Sequence, residues 1–139
     1  MSSCTACDFD PGLCVENTYT IVIPHAAQSL NTVGINSKNN RAYRGARRAW
    51  ARSLKKASNG VAPAEKARRI FFTRFWGRGK RAYDFGNLVG GFKPLLDEIV
   101  RAGYLIDDAP KWCSEYYRQY RSADGTDYVI IVLEDYGIT

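Results

Sequence analysis

Histidine and methionine each occur once in the 139 residues, and long apolar runs are missing. With no apolar stretch approaching 18 residues, a membrane-spanning helix is excluded. The lone His25 follows a β-branched run, and no Ser or Cys motif surrounds it, so it reads as a loop residue rather than a catalytic base. The opening MSSCTACDFDPGLC has neither a basic start nor an apolar core. That argues against a secretory signal, and the expectation is a cytoplasmic protein. In that compartment the four cysteines are thiols or metal ligands rather than disulfides. Cys4, Cys7 and Cys14 would need Cys113 or His25 to complete a zinc site, but the usual second Cys or His pair is absent, and free thiols are the default. The Gly77–Gly79 pair has no following Lys-Thr and no dinucleotide-fold context, so nucleotide binding is unsupported.

Acid is the scarcest class in the middle of the chain. From Asn17 to Tyr83 there are fifteen Lys and Arg residues and one acid, Glu65; from Asp84 onward there are ten acids and five bases. A basic half with interleaved aromatics and small residues suits a polyanion, with nucleic acid first, although a solvated surface has the same composition. A hydrophobic content of 45% fits a globular chain with a core. The expected organisation is a flexible leader over 1–16 and a single domain over 17–139.

TYTIVI (18–23) reads as a strand closed by Pro24, and 24–40 as a long polar loop. Over 41–57, Tyr43, Ala46, Trp50, Leu54 and Ala57 recur at helical spacing, with the basic residues around them. Residues 68–76 read as a strand and GRGKR (77–81) as a mobile basic tip. Leu88, Phe92, Leu95, Leu96, Ile99 and Val100 form a second helical stripe ended by Gly103. Pro94 favours a helix starting near Lys93, with GNLVGG as a loop; a start near Asn87 would need a kink. CSEYYRQY (113–120) and DYVIIVLE (127–134) read as strands, and the Asp-Gly between them as a hairpin turn. The order β-α-β-α-β-β predicts an α+β domain with a mixed sheet of about four strands and two main helices on it. Trp50 and Trp76 are expected in the core, and Tyr43 either there or stacked on an unpaired base.

Within this frame the acids gather at Asp84, Asp97, Asp107 and Asp108, with Lys93 one helical turn before Asp97. Two carboxylates with waters and a substrate phosphate can hold Mg²⁺, which then activates water against a phosphodiester, while a nearby Lys neutralises developing charge. The bland alternative makes Asp84 a turn residue, Asp97 a surface residue and Asp107-Asp108 a polar loop. Phosphate-contact candidates are Arg41, Arg44, Arg47, Arg48, Arg52, Lys55 and Lys56 on the first helix, with Arg78, Lys80 and Arg81 on the basic tip.

The run Asp84-Phe85-Gly86-Asn87-Leu88, then Lys93, Asp97, Ala102-Gly103 and Asp107-Asp108, resembles the D-x-D-N-L, Lys, Asp, A-G and D-D pattern of the RusA family of Holliday-junction resolvases, which includes phage-encoded members. SLN (29–31), the arginine-rich helix and Gln119 add to the likeness, which spans about 18–134. The resemblance implies a homodimeric, Mg²⁺-dependent endonuclease, with Mn²⁺ as a substitute, that nicks four-way DNA junctions symmetrically in a bacterial cytoplasm. It implies that Asp84 and Asp108 hold the metal, that Lys93 contacts the phosphate, and that Asp97 and Asp107 assist. Two departures stand out. Gly86 replaces the second Asp of D-x-D, and three extra residues separate Leu88 from Lys93. Either a neighbouring acid or water fills the missing position, or the chain binds branched DNA without cutting it.

Overall fold

A computed structural model describes residues 14–25, 27 and 40–137. Its elements are β1 (Cys14–Ile23), α1 (Asn40–Ala57), β2 (Arg68–Trp76), α2 (Phe85–Gly91), α3 (Lys93–Arg101), β3 (Cys113–Arg121) and β4 (Tyr128–Gly137). With α2 and α3 taken as one interrupted helical region, the order is the expected β-α-β-α-β-β. β1 begins at Cys14, so the boundary expected at residue 16 falls inside a strand. Most of the loop expected over 24–40, with SLN, and also Cys4 and Cys7, lies outside the described residues.

The four strands form one mixed sheet in the order β1-β4-β2-β3. β4 pairs antiparallel with both β1 and β2, and β2 pairs parallel with β3. A parallel pair needs a long crossover, which α2 and α3 supply. Strand alternation puts Arg68, Ile70, Phe72 and Arg74 of β2 on one face with Ile131 and Leu133 of β4 and Ile21 and Ile23 of β1, all buried. These pack with Trp50 and Leu54 of α1 and with Leu88, Phe92, Leu95, Leu96 and Ile99 of the second helical region in one core. On the opposite face Phe71 stacks on Tyr116 and Phe75 on Tyr128, and Tyr116 and Tyr120 are exposed.

Arg68 and Asp135 occupy neighbouring positions on β2 and β4 and form a buried ion pair, Nε to Oδ1 2.5 Å. The Arg68 guanidinium also donates to the carbonyl of Tyr104 at 2.9 Å, so it ties the start of β2 to the turn after α3.

Two expectations about connections are corrected. The Asp-Gly turn does not make a hairpin, because β3 and β4 flank β2 and do not pair. The link passes over the end of β2: Ser122 N donates to Trp76 O, Arg78 N to Gly125 O, and Gly77 N to Asp127 Oδ1. A Cβ on Gly77 would lie 2.5 Å from the Gly125 carbonyl, so only glycine fits there. Asp124 accepts from Ser122 and Thr126 and fixes the turn locally. That local chemistry specifies a reversal but not the partner strand.

The second correction concerns GNLVGG, which is helical in α2 rather than a loop. Asp84 caps α2, its carboxylate accepting from Asn87 N at 2.9 Å. The helix ends where Phe92 N closes on Val89 O and restarts with Leu96 N on Phe92 O. Pro94 then falls in the first turn of α3, where no N–H is required. Gly103, at φ 87°, ends α3 with Tyr104 N returning to Ile99 O and Gly103 N to Val100 O.

Candidate nucleic-acid interface and acidic site

Lys93 is the centre of the acidic constellation. Its Nζ lies 2.7 Å from Asp108 Oδ2 and 3.1 Å from Asp97 Oδ1. The start of α3 supplies Lys93, the next turn supplies Asp97, and the turn before β3 brings Asp108 back to them. Burial disfavours the ammonium, but the bonds to Asp108 and Asp97 outweigh it and hold Lys93 above its usual range. The same bond from Lys93 holds the Asp108 carboxyl below the usual carboxylate range.

Tyr43 of α1 donates its hydroxyl to Asp97 Oδ2. Burial, then this bond to a carboxylate, pushes the phenol up to about 12. Tyr43 therefore belongs to the acidic cluster; it is neither a core residue nor a free stacking platform. One turn on, Arg47 Nε lies 3.3 Å from the carboxylate of Glu98, which is only 5% exposed. The contact has ion-pair distance without hydrogen-bond alignment. Arg47 thus reaches α3 through its Nε, with its side chain about a third exposed. Arg41, Arg44, Arg48, Arg52, Lys55 and Lys56 are exposed on α1, and Arg78, Lys80 and Arg81 are exposed beyond β2.

Asp84 stands apart from this cluster. Both of its oxygens accept from Asn87, from N and Nδ2, each at 2.9 Å. No hydrogen bond or ion pair among the described residues joins it to Lys93, Asp97 or Asp108. The seven-residue α2, about 10 Å long, lies between them along the chain. Asp107 spends Oδ1 on the backbone N of Asp108 at 2.9 Å and shapes that turn. A Cβ on Gly86 would sit 3.7 Å from Asp84 Oδ1, in ordinary contact, so position 86 points at Asp84 and accepts a side chain.

The residues before Asp84 are held by three groups that sequence reading did not assign to the site. Gln119 clamps the Tyr83 backbone from both sides, accepting from Tyr83 N at 3.0 Å and donating to Tyr83 O at 2.6 Å. The Arg74 guanidinium lies 3.5 Å from the Tyr83 ring centroid and donates to Gln119 Oε1 at 3.0 Å. The Tyr83 hydroxyl donates to Ala27 O. Gln119 carried a signal only through the family likeness. Arg74 carried one in the alternation of β2, where an arginine ends a row of inward apolar residues.

The donor chemistry of the acids suits a hard divalent cation: Asp84 is exposed, Asp108 is partly so, and both offer carboxylate oxygens. Among the described residues, however, no three His, Cys, Asp or Glu side chains converge as a metal-holding group. Zinc is a poorer fit. Cys14 and Cys113 lie on opposite edge strands, three inter-strand steps or about 14 Å apart before any offset along the strands. Cys113 is also buried, and burial, then Glu115 and Asp108, pushes its thiol up to about 12. Among the described residues no helix is long and apolar enough to cross a membrane. Compared with known proteins, the chain matches no protein-family model and no curated protein.

Proposed function

We propose that this protein is a Mg²⁺-dependent endonuclease of the RusA type that acts on four-way DNA junctions as a homodimer. The observation that carries the reading is the bond from Tyr43 to Asp97. It joins the arginine-bearing α1 to the Lys93–Asp108 cluster, so the basic helix is anchored at the lysine–carboxylate site. The exposed Arg44, Arg48, Arg52, Lys55 and Lys56 would grip phosphates, with Arg41, Arg78, Lys80 and Arg81 adding to the same field. Asp84 and Asp108 would hold the ion, which when bound supplies an activated water and charge neutralisation at the phosphate.

The chain's own residues do the remaining work. Asp97, oriented by Tyr43, keeps the Lys93 ammonium in place and charged. Lys93 is then ready to meet developing negative charge on a phosphate. Gln119 and Arg74 fix the backbone immediately before Asp84. A two-fold dimer would match the two-fold symmetry of the junction.

A second reading has its own support. Gly86 leaves no carboxylate beside Asp84, and Lys93 already occupies the space between Asp97 and Asp108. That arrangement suits a protein that binds branched DNA and does not cut it. Incubation of an end-labelled synthetic four-way junction with and without Mg²⁺, beside Asp108→Asn, separates the two. Paired metal-dependent nicks that vanish in the variant support the nuclease. Binding with no cuts in Mg²⁺ or Mn²⁺ overturns it in favour of the binder.

A further inference from the structure

Two arginines of β2 face the buried side of the sheet, and only one has a counter-charge. Arg68 is ion-paired with Asp135. Arg74 is 3% exposed, and no carboxylate among the described residues pairs with it. Its Nη1 donates to two neutral oxygens, Arg81 O and Gln119 Oε1, each at 3.0 Å, and its plane lies against the Tyr83 ring. Asp127 acts on it from farther away, and Asp127 Oδ1 is already bonded to Gly77 N at 2.6 Å. A desolvated guanidinium without an anion is unfavourable unless a ligand or solvent answers it.

Arg74 lines a cavity of about 450 Å³ with Gly79, Lys80, Arg81, Asp84 and Asn87. Lys80 and Arg81 are exposed at its rim and form no ion pair among the described residues. The turn that carries them closes by Lys80 N on Gly77 O and takes Gly79 at φ 80°, which a side chain would strain. Three cations therefore converge on one cavity. Its single acid, Asp84, is already hydrogen-bonded to Asn87.

We propose that this cavity is a phosphate-binding site, with the planar Arg74 guanidinium as its floor and Lys80 and Arg81 as its rim, and that it seats a backbone phosphodiester beside Asp84. The phosphodiester assignment rests on the nuclease reading; the anion site does not. A guanidinium presents a flat fork of donors that matches phosphate oxygens better than a lysine does. Its lining does not include Lys93, Asp97 or Asp108, so this phosphate contact would add to the one made by Lys93.

The test is an NMR titration of the full chain, following Arg Nε–Hε and backbone amide signals, with inorganic phosphate and separately with the dinucleotide dTpdT. Saturable shifts at Arg74 and residues 79–81 are expected with both. Because Arg74 also braces the fold, the decisive variant is Lys80→Gln with Arg81→Gln. It should keep the wild-type Tm and weaken phosphate about ten-fold, equivalent to ~1.4 kcal/mol. Asp84→Asn, which removes the one like charge, should tighten it. No saturable shift at Arg74, or unchanged affinity in the double variant, overturns the site. Phosphate binding without dTpdT binding overturns the phosphodiester assignment alone. If the shifts persist while junctions are never cut, the anion site stands and the nuclease reading falls.

Discussion

Tyr43 and Asp97, 54 positions apart in the chain, are hydrogen-bonded partners across the α1–α3 contact. Burial and the bond to Asp97 push the phenol up to about 12, so the hydroxyl keeps its proton through the neutral range. Tyr43→Phe should therefore cost stability at every neutral pH, by about 1 kcal/mol for one hydrogen bond to a carboxylate. Urea unfolding measures that loss. Junction affinity measured alongside should fall, because α1 would no longer be pinned to the acidic cluster. An unchanged unfolding midpoint would count against the bond.

Gly86→Asp is expected to be tolerated. Position 86 has no positive φ, and the new Cβ meets Asp84 Oδ1 at 3.7 Å, ordinary contact. The added carboxylate falls in the first turn of α2, where the helix dipole favours it, and stands beside Asp84. Calorimetric titration with Mn²⁺ should show tighter binding than in the wild type, and Mg²⁺-dependent junction cutting should rise. If Mn²⁺ affinity does not change, Asp84 is not a metal ligand.

Arg68→Met should destabilise the fold severely. It leaves Asp135 buried without a cation, and breaking such a pair costs about 3–5 kcal/mol. Adding Asp135→Leu to Arg68→Met should recover most of the loss, because the burial of an unpaired charge goes with it. Thermal unfolding of the two variants provides the comparison. Equal Tm values would show that packing, not charge, dominates there.

The Lys93–Asp108 pair sets an acid limit. Asp108 has a depressed folded pKa, so its contribution is present above its unfolded value of about 3.9 and is lost as pH falls through the folded one. Lys93 has a raised folded pKa, so its contribution is present below about 10.4 and is lost only as pH rises through a still higher value. Between those limits the pair contributes evenly. Denaturant midpoints from pH 7 to pH 2 should fall more steeply below about pH 4 in the wild type than in Asp108→Asn. Parallel curves would show that the bond does not survive in solution.

Local pattern was enough for the elements that bury one clean stripe. α1, with Trp50 and Leu54 inward, and β2, with its strict alternation, fall where periodicity puts them. Pairing was not legible, because a turn such as Asp124-Gly125 specifies reversal and leaves open whether another strand lies between its arms. The helical state of 85–91 was hidden by its glycines; it depends on the Asp84 cap and on the burial of Leu88 and Gly91. In the site, Lys93 and Asp97 come together as their i, i+4 spacing suggested; Asp108 is brought to them by the turn before β3, and among the described residues no bond joins Asp84 to them. Arg47 looked identical to its neighbours on α1. Only the buried Glu98 opposite distinguishes it, and that is a tertiary fact. Gln119 acts through the backbone of Tyr83, and Arg74 through the Tyr83 ring and the Arg81 carbonyl, kinds of contact that no motif spacing encodes.

The strand order also governs how the chain can assemble. Among the described residues β1 finds its only sheet partner in β4, with Thr20 opposite Val132 and Ile21 opposite Ile131. On the ribosome, β1 therefore has no partner among the described strands until β4 has emerged. β2, though central, must likewise wait for both of its neighbours. Closure of such distant pairings is slow compared with helix formation. During synthesis α1 can form early while the apolar edges of β1 and β2 stay open, and the sheet closes only once β4 has emerged.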